Sequence, residues 1–341
     1  MGRSLVTGAN GFIGANVVRA LLAHGAEVRV LVRRGSDRRS LDGLPVEVAE
    51  GDLRDRDAVR RAVAGCARVF HVAADYRFWA RDPREIHDAN VGGTIHVLEA
   101  CVEHGVERVV HTSTVGTIGL SALPGPCDET TPLAPGQIHG DYKRSKLEAE
   151  RAALSFAARG LPVVVVNPTA PIGPFDSKPT PPGKIVVDFA RGRLPAYVDT
   201  GLNVVHVRDV AEGHWLAAER GRPGERYLLG NRNMTLREIL ALLAELLGRP
   251  APRVRLPYAA AWTAGALSTA AAALTRRPPA IPLEAVRMSR RRMFVDASRA
   301  VRELGVPQTP VREAFEDAIR WFAERGILPR PDSRSAAWAS R

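Results

Sequence analysis

A tyrosine and a lysine four residues apart, Tyr142 and Lys146, are the strongest chemical signal in the sequence. On a helix this spacing places both side chains on one face. An unperturbed tyrosine has a pKa of about 10, which is too high for a base near neutral pH. A nearby ammonium group stabilises the phenolate, so we expect Lys146 to lower the pKa of Tyr142 and make it a proton-transfer group. The alternative is a solvated helix surface, and the neighbouring elements must decide.

A glycine-rich loop precedes the first predicted helix, in the stretch TGANGFIG. Glycine permits a tight turn and a close approach of the backbone to a pyrophosphate, and the helix N-terminus offers free N–H groups to the phosphates. The spacing is GxxGxxG rather than GxGxxG, but it stands at the first strand–helix junction, where dinucleotide-binding folds place it. The predicted phosphate-binding residues are Gly8, Asn10, Gly11, Phe12, Ile13 and Gly14.

The end of the second predicted strand, LVRRGSD, bears on cofactor choice. An acidic residue there would bind a ribose 2′-hydroxyl and favour NAD, but Arg33 takes that position and Arg34 follows it. Two guanidinium groups suit a 2′-phosphate, so we predict NADP(H), with NAD as the alternative. Four residues at the ends of the next two strands would also line the cofactor: Asp52 and Leu53 beside the adenine, and Ala73 and Ala74 where the backbone approaches it.

Short β-branched runs alternate with helix-like segments through residue 168. This alternation predicts right-handed βαβ units and an α/β fold of the Rossmann type, with a doubly wound parallel sheet. Strands are predicted at 4–9, 27–33, 46–53, 67–74, 108–115 and 162–168. Helices are predicted at 12–24, 55–64, 85–104 and 141–159.

The pattern changes after Pro168, where residues 171–183 contain five prolines and are predicted to form a loop. We predict a cofactor domain at 1–168, to which segments near 203–230 partly return, and a smaller substrate-binding region at 169–328. Residues 329–341 are predicted to be a disordered tail. Further helices are predicted at 184–191, 209–219, 235–247, 258–274 and 310–325, and strands near 203–207 and 225–229.

Composition narrows the function classes. The net charge is +11, yet only four of the 48 basic residues are lysine and the arginines are spread along the chain, so we do not expect nucleic-acid binding. Cys66, Cys101 and Cys127 fit neither a metal spacing nor an even disulfide framework, which indicates no metal site and a reducing compartment. The first residues show no signal-peptide pattern, and we expect a cytoplasmic enzyme.

Taken together, TGANGFIG, the DL pair at 52–53, HVAA at 71–74, ANVGGT at 89–94 and YKRSK resemble the extended short-chain dehydrogenase/reductase family. The resemblance implies hydride transfer to or from a nicotinamide cofactor, with Tyr142 as acid/base and Lys146 as its partner, which also binds the nicotinamide ribose. Thr114, at the end of the fifth strand, would complete the triad and hold the substrate oxygen, with Ser113 as its neighbour.

The same resemblance assigns further positions and narrows the reaction. It places Asn90, Thr112, Ser113, Pro168 and Thr169 near the cofactor. It also implies a homodimer through the helices at 85–104 and 141–159. Dehydratases of the family carry Asp-Glu after the triad threonine, whereas Val115 and Gly116 stand here, so dehydration is disfavoured. A sensor would lack the tyrosine or the lysine. An epimerase and a carbonyl reductase share the triad, and both stay open.

Longer segments, HVAADYRFWARDP, residues 167–214 and AVRMSRRRMFV, resemble a subgroup named hopanoid-associated sugar epimerases, relatives of the dihydroflavonol 4-reductases. This implies a small-molecule or lipid-linked substrate, a sugar or a hopanoid-linked molecule. The apolar helix 258–274 is flanked by Arg276, Arg277 and the arginines at 287–292, so segment 258–292 could contact the inner face of a membrane; a core or dimer helix is the alternative. The candidate substrate wall comprises Tyr76, Trp79, Lys178, Tyr197, Asn203 and His206.

Overall fold

The computed structural model describes residues 2–77, 82–119, 125–134, 136–138, 140–275, 279, 281 and 283–328. Three sets of residues that enter the sequence-based predictions lie outside this description: Trp79, the pair Arg276 and Arg277, and the terminal segment 329–341.

Twelve strands are named in chain order. They are β1 (Ser4–Thr7), β2 (Val28–Val32), β3 (Val46–Glu50), β4 (Arg68–His71), β5 (Arg108–Thr112), β6 (Val163–Pro168), β7 (Ala170–Ile172), β8 (Ala196–Val198), β9 (Gly201–His206), β10 (Arg226–Leu229), β11 (Arg232–Thr235) and β12 (Val254–Leu256).

The helices are α1 (Phe12–Ala23), α2 (Arg56–Val63), α3 (Arg84–His87), α4 (Gly93–Glu103), α5 (Asp141–Ala158), α6 (Pro181–Ala190), α7 (Val207–Arg220), α8 (Leu236–Leu247), α9 (Tyr258–Thr275), α10 (Leu283–Met288), α11 (Ser298–Leu304) and α12 (Val311–Glu324). A π-helical turn, Asp88–Gly92, joins α3 to α4, and 3-10 turns lie at Arg39–Leu41 and Val115–Thr117.

Seven parallel strands form the main sheet in the order β10-β6-β5-β4-β1-β2-β3. The order reverses between β1 and β4, as in a doubly wound dinucleotide-binding sheet. The predicted α/β Rossmann class is confirmed. All seven strands end at one edge of the sheet, and the candidate site residues lie along that edge.

Helices cover both faces of the sheet, which explains the long apolar runs in its central strands. On one face, α1, α7 and α11 pack Val17, Leu21, Val210 and Leu304 against the strands. On the other face, α2, α4 and α5 bury apolar residues such as Val59, Leu98 and Ala153. The sheet is therefore a rigid platform that fixes the positions of its carboxyl ends.

The later part of the chain forms a second apolar cluster around α6, α8 and α12, together with β7, β9 and β11. Two of its segments also return to the main sheet: α7 packs beside α1, and β10 pairs with β6 at the sheet edge. The helix α8 begins with a capping box in which Thr235 and Glu238 exchange hydrogen bonds.

Several segments differ from the predictions, among them β8, β11, β12, α10 and α11, which were not predicted. The predicted helix at 85–104 is one continuous run only with the π-helical turn at Asp88–Gly92 inside it. The predicted loop at 171–183 instead shares β7 and the start of α6, because Ala170–Ile172 pairs with β9. The strands of the main sheet end up to three residues earlier than predicted, so their last predicted residues lie in the loops of the site. Among the described helices, none is long and apolar enough to cross a bilayer.

Candidate active site

The glycine-rich loop turns sharply between β1 and α1. Gly8 has a positive φ of 68°, and a Cβ on it would lie 2.6 Å from the Cα of Ala73 after β4. A Cβ on Gly14 would overlap the carbonyl oxygen of Gly8. Only glycine fits these two positions. Gly8 lies against the backbone that follows β4, and Gly14 lets α1 pack against the loop.

The start of α1 suits a pyrophosphate. Gly11 is the N-cap and provides no side-chain hydrogen bond to the first turn, so the N–H groups at Phe12 and Ile13 have no side-chain cap. Asn10 instead donates from Nδ2 to the carbonyl oxygen of Asp37, 2.9 Å away, and ties this loop to the one after β2. An uncapped helix start above a glycine-rich loop suits a dinucleotide phosphate.

Arg33 and Arg34 lie exposed directly after β2, close to this loop. Within the described part of the chain neither forms an ion pair, whereas their neighbours Arg38 and Arg39 pair with Glu50 and Asp37. Among the described residues, the guanidinium groups of Arg33 and Arg34 therefore have no carboxylate within ion-pair distance.

The next two strand ends complete this half of the site. Asp52 accepts from the backbone N–H and the guanidinium of Arg54, and this hydrogen bonding holds the pKa of Asp52 at about 2. Leu53 packs against Gly93 at the start of α4. Ala73 donates its N–H to Oγ1 of Thr7, 3.2 Å away, and Ala74 is exposed.

Helix α5 positions Tyr142 and Lys146 on the face turned toward β5. Tyr142 shares a side-chain hydrogen bond with Thr114, which follows β5. Lys146 is 3% exposed and donates from Nζ to the carbonyl oxygen of Thr112, 2.7 Å away. The predicted triad residues Tyr142, Lys146 and Thr114 therefore meet at the end of one strand.

The charges in the triad differ from the prediction. The pKa of Tyr142 is raised to about 12. Burial is the largest cause; the hydrogen bond with Thr114 acts in the opposite direction, and the charge of Glu284 adds to the rise. Burial also lowers the pKa of Lys146 to about 8, against the opposing charge of Glu150. The prediction that Lys146 lowers the pKa of the Tyr142 phenol is wrong for this geometry, because the effect of burial on that pKa is larger. At neutral pH the phenol is a proton donor.

Asn90 lies in the π-helical turn and is 3% exposed. Its Nδ2 donates to the carbonyl oxygen of Asp75 and to Oγ of Ser145, both 2.9 Å away, and its Oδ1 accepts from the N–H of Asp75. The π turn directs this side chain toward the loop after β4 and toward α5. Asn90 thereby connects the loop after β4 to helix α5, three residues beyond Tyr142.

Four other predicted residues line the same strand ends. Thr112 binds His214 Nε2 through Oγ1 at 2.9 Å, and Ser113 donates its N–H to the carbonyl oxygen of Val166. Pro168 ends β6. Thr169 donates both its N–H and its hydroxyl to the carbonyl oxygen of Leu229. These contacts place all four residues along one edge with Thr114.

A buried carboxylate behind the triad was missed in the sequence. Oε2 of Glu150 accepts from Oγ1 of Thr117 at 2.7 Å and from Nδ2 of Asn167 at 2.8 Å, and Oε1 lies 3.3 Å from Nη1 of Arg226. Glu150 stands one helical turn beyond Lys146, and that spacing was the available signal. Its negative charge partly compensates the buried ammonium group.

Comparison with known proteins agrees with this geometry. The model of the "NAD dependent epimerase/dehydratase family" matches residues 4–230. This chain belongs to that family. It is an NAD(P)-dependent enzyme of the oxidoreductase or epimerase type, which confirms the predicted enzyme class.

Two curated relatives align over nearly the whole chain. "Putative dihydroflavonol 4-reductase" of Synechocystis is 43% identical over 327 residues, which is 95% of each chain. "Sterol demethylase protein B" of Methylococcus capsulatus is 41% identical over 327 residues, 95% of this chain and 99% of the relative. The solved structure of gox2253 superposes with a TM-score of 0.85 at 43% identity, over 95% of this chain and 99% of the other.

The residues predicted to form the substrate wall do not all come together in the structure. Tyr76 is exposed, and its hydroxyl lies 3.4 Å from the carbonyl oxygen of Lys178, itself exposed. Tyr197 packs against the second apolar cluster. Trp79 lies outside the described residues.

The remaining two wall candidates have structural partners. Asn203 is buried and donates to Oδ1 of Asn233, 2.9 Å away. His206 caps α7 through Nδ1, and its Nε2 lies 3.1 Å from Oδ2 of Asp317. Neither side chain is available to a substrate in this structure.

Three buried histidines lie in or against the main sheet: His71 in β4, His111 in β5 and His214 in α7. Burial lowers the pKa of His71 to about 3 and that of His214 to about 4, and it lowers the pKa of His111 well below its usual value. His71 connects Thr7 to Thr94 through its two ring nitrogens, at 2.8 and 2.9 Å. These histidines are neutral in the folded enzyme.

Neutral burial of His214 predicts how stability depends on pH. Below the unfolded pKa of about 6.5 the unfolded chain binds a proton that the folded chain does not, so stability falls as the pH drops toward about 4. The substitution His214→Asn should reduce the slope of unfolding free energy against pH by about 1.4 kcal/mol per pH unit in this range. Denaturant titrations at several pH values measure the slope. An unchanged slope would contradict the assignment.

Proposed function

We propose that this enzyme reduces a carbonyl group on an apolar, ring-containing or lipid-like substrate at the expense of NADPH, with Tyr142 as the proton donor. The observation that supports the proposal is the buried phenol of Tyr142, which shares a hydrogen bond with Thr114 after β5. A reductase needs a proton donor, and a phenol that is protonated at neutral pH can serve as one. The names of the two relatives, "Putative dihydroflavonol 4-reductase" and "Sterol demethylase protein B", support an apolar substrate.

The chemistry follows from the positions of the three side chains. When bound, the nicotinamide cofactor supplies the hydride that reaches the carbonyl carbon. Tyr142 gives its hydroxyl proton to the carbonyl oxygen, which becomes an alcohol, and Thr114 holds that oxygen. Lys146 places a positive charge one helical turn behind the phenolate that remains, and its stabilisation lowers the cost of the transfer.

A second candidate is an epimerase acting on a sugar or a hopanoid-linked molecule, in which hydride leaves the substrate and returns to it. The family match and the shared triad favour it. An epimerase retains a cofactor that it does not consume. A reductase binds NADPH reversibly and oxidises it in step with the substrate. A protein that binds NADPH without turnover of any substrate would be a binding module instead.

Replacing Tyr142 by phenylalanine tests the proton donor. NADPH oxidation should be followed with a dihydroflavonol, a ketosteroid and UDP-glucose as probes. With the probe that is reduced, Tyr142→Phe should lower kcat by roughly 10²- to 10⁴-fold, because the carbonyl oxygen loses its donor. The affinity for NADPH should stay unchanged.

Tyr227→Phe is the matched control. Its hydroxyl lies 3.1 Å from Oε2 of Glu303, on the β10 side of the sheet, and it should leave kcat unchanged. Full turnover by Tyr142→Phe would refute Tyr142 as the donor.

Arg33 and Arg34 are proposed to select NADPH. Changing both to serine should weaken NADPH binding by roughly 10- to 100-fold, the value of hydrogen bonds to a charged group, and leave NADH binding unchanged. Arg39→Ser is the control, because that guanidinium is already paired with Asp37. Calorimetric titration of the three proteins with both nucleotides gives the result. An equal loss for both nucleotides would show that the arginines do not read the 2′-phosphate.

We propose further that segment 258–292 contacts an anionic membrane. On α9, Trp262 is 44% and Leu267 is 68% exposed. A cavity of about 400 Å³ beside α9 is lined by Arg255, Arg290 and Arg292, with Asp199 as its acidic residue. Exposed apolar side chains next to an arginine-lined cavity suit acyl chains and phosphate head groups.

Vesicle flotation tests the membrane contact. The protein should float with phosphatidylglycerol vesicles at low salt and much less with phosphatidylcholine vesicles, and Arg255→Glu with Arg290→Glu should abolish flotation. Arg312→Glu on α12, combined with Arg302→Glu on α11, is the control for net charge. Absence of flotation at low salt would contradict the contact. The expected homodimer stays a prediction for analytical ultracentrifugation.

A further inference from the structure

A carboxyl group from the α9–α10 hairpin lies against the start of the catalytic helix. Glu284, in the first turn of α10, packs over Gly140, the residue before α5. A Cβ on Gly140 would overlap the carboxyl group of Glu284, and Gly140 has a positive φ of 79°. The backbone two residues before Tyr142 is therefore shaped to admit this side chain.

The Glu284 carboxyl is poorly solvated. Its Oε1 is inaccessible to solvent and has no hydrogen-bond partner within the described part of the chain. Burial raises the pKa of Glu284 to about 7, so the carboxyl is mainly ionised only above neutral pH. The charged groups that face it are Lys143 and Asp141 of α5 and Arg287 of its own helix. Lys143 is only 8% exposed, and burial lowers its pKa. A charge in such surroundings acts over a longer distance than one in water.

Tyr142 lies between two groups of opposite effect. Thr114, after β5, shares a hydrogen bond with the phenol and favours the phenolate, whereas the negative charge of Glu284 on α10 disfavours it. Lys146, on the same helix as the phenol, donates to the carbonyl oxygen of Thr112. The negative charge that acts on the reacting phenol is thus brought by α10, an element of the later part of the chain.

We propose that Glu284, when ionised, is a positioning residue for the reaction: it opposes loss of the Tyr142 proton and so disfavours alcohol oxidation, the direction that needs the phenolate. The proposal rests on the proposed function, since it takes Tyr142 as the proton donor. Nothing in the sequence pattern marks Glu284, which is 142 residues away along the chain, for this role.

The supporting geometry also explains why the carboxyl stays in place. The N–H of Leu283 donates to Oγ1 of Thr269, and the N–H of Ile281 donates to Oγ of Ser268, both at 3.1 Å. Two hydroxyls of α9 thereby hold the chain that enters α10. Gly265 lets the two helices approach, because a Cβ there would lie 3.0 Å from Val286.

The test measures the titration of Tyr142 itself and needs no substrate. The five tyrosines are replaced by fluorotyrosine, whose phenol is more acidic, and fluorine NMR follows each phenol against pH with NADP⁺ bound. Tyr142→Phe identifies the resonance. Glu284→Gln should move the titration of Tyr142 to lower pH by at least roughly half a pH unit, because it removes a nearby negative charge of similar shape.

Asp141→Asn is the matched control. It removes a carboxylate adjacent to Tyr142 in sequence that faces Arg144 instead, 3.8 Å away, and it should leave the titration within roughly a tenth of a pH unit. An unshifted resonance in Glu284→Gln, or an equal shift in both variants, would overturn the role of Glu284.

A kinetic measurement separates this inference from the proposed function. In Glu284→Gln, NADP⁺-linked oxidation of the alcohol product of the active probe should begin at lower pH than in the wild type, by the same shift. An unmoved profile would overturn the inference and leave the reductase assignment standing. Failure of the wild type to reduce any probe would overturn the reductase assignment, and wild-type turnover by Tyr142→Phe would overturn Tyr142 as the donor, whatever the NMR titration shows.

Discussion

The seven parallel strands of the main sheet carry apolar side chains on both faces, so helices must cover both faces. Helices α1 and α7 cover one face and α2, α4 and α5 cover the other, and the loops at the carboxyl ends of the strands lie beyond these covered faces. The glycine-rich loop after β1, Arg33 and Arg34 after β2 and Thr114 after β5 all lie at this edge. The same constraint that builds the core therefore concentrates the chemistry in one place.

Desolvation sets the protonation states at that edge. It keeps the phenol of Tyr142 protonated, pushes Lys146 toward neutrality and holds three histidines uncharged. Glu150 partly offsets the cost for the lysine, and Glu284 adds to the effect on the phenol. The site is thus tuned by burial first and by individual charges second, which is the reverse of the lysine-centred picture that spacing alone suggests.

Local signals located the elements whose residues are neighbours in sequence. The glycine loop, the Tyr142–Lys146 spacing and the strand–helix alternation each lie within a few residues, so composition and period suffice to find them. Contacts between distant segments could not be found in this way. His214 meets Thr112, Arg226 meets Glu150 and Glu284 meets Gly140 across 76 to 144 positions, and no periodic pattern encodes such pairs. The π turn at Asn90 was missed because it lies inside one continuous helical run, from α3 to α4.

The position of β10 has a consequence for how the chain folds. Strand β6 gains its outer neighbour only when Arg226–Leu229 arrives, some sixty residues later. During synthesis the cofactor-binding half therefore emerges from the ribosome with an open, valine-rich edge, a template for pairing with other chains. Because this edge closes only through the later segment, the boundary near residue 168 divides the protein by function and not into independently folding pieces.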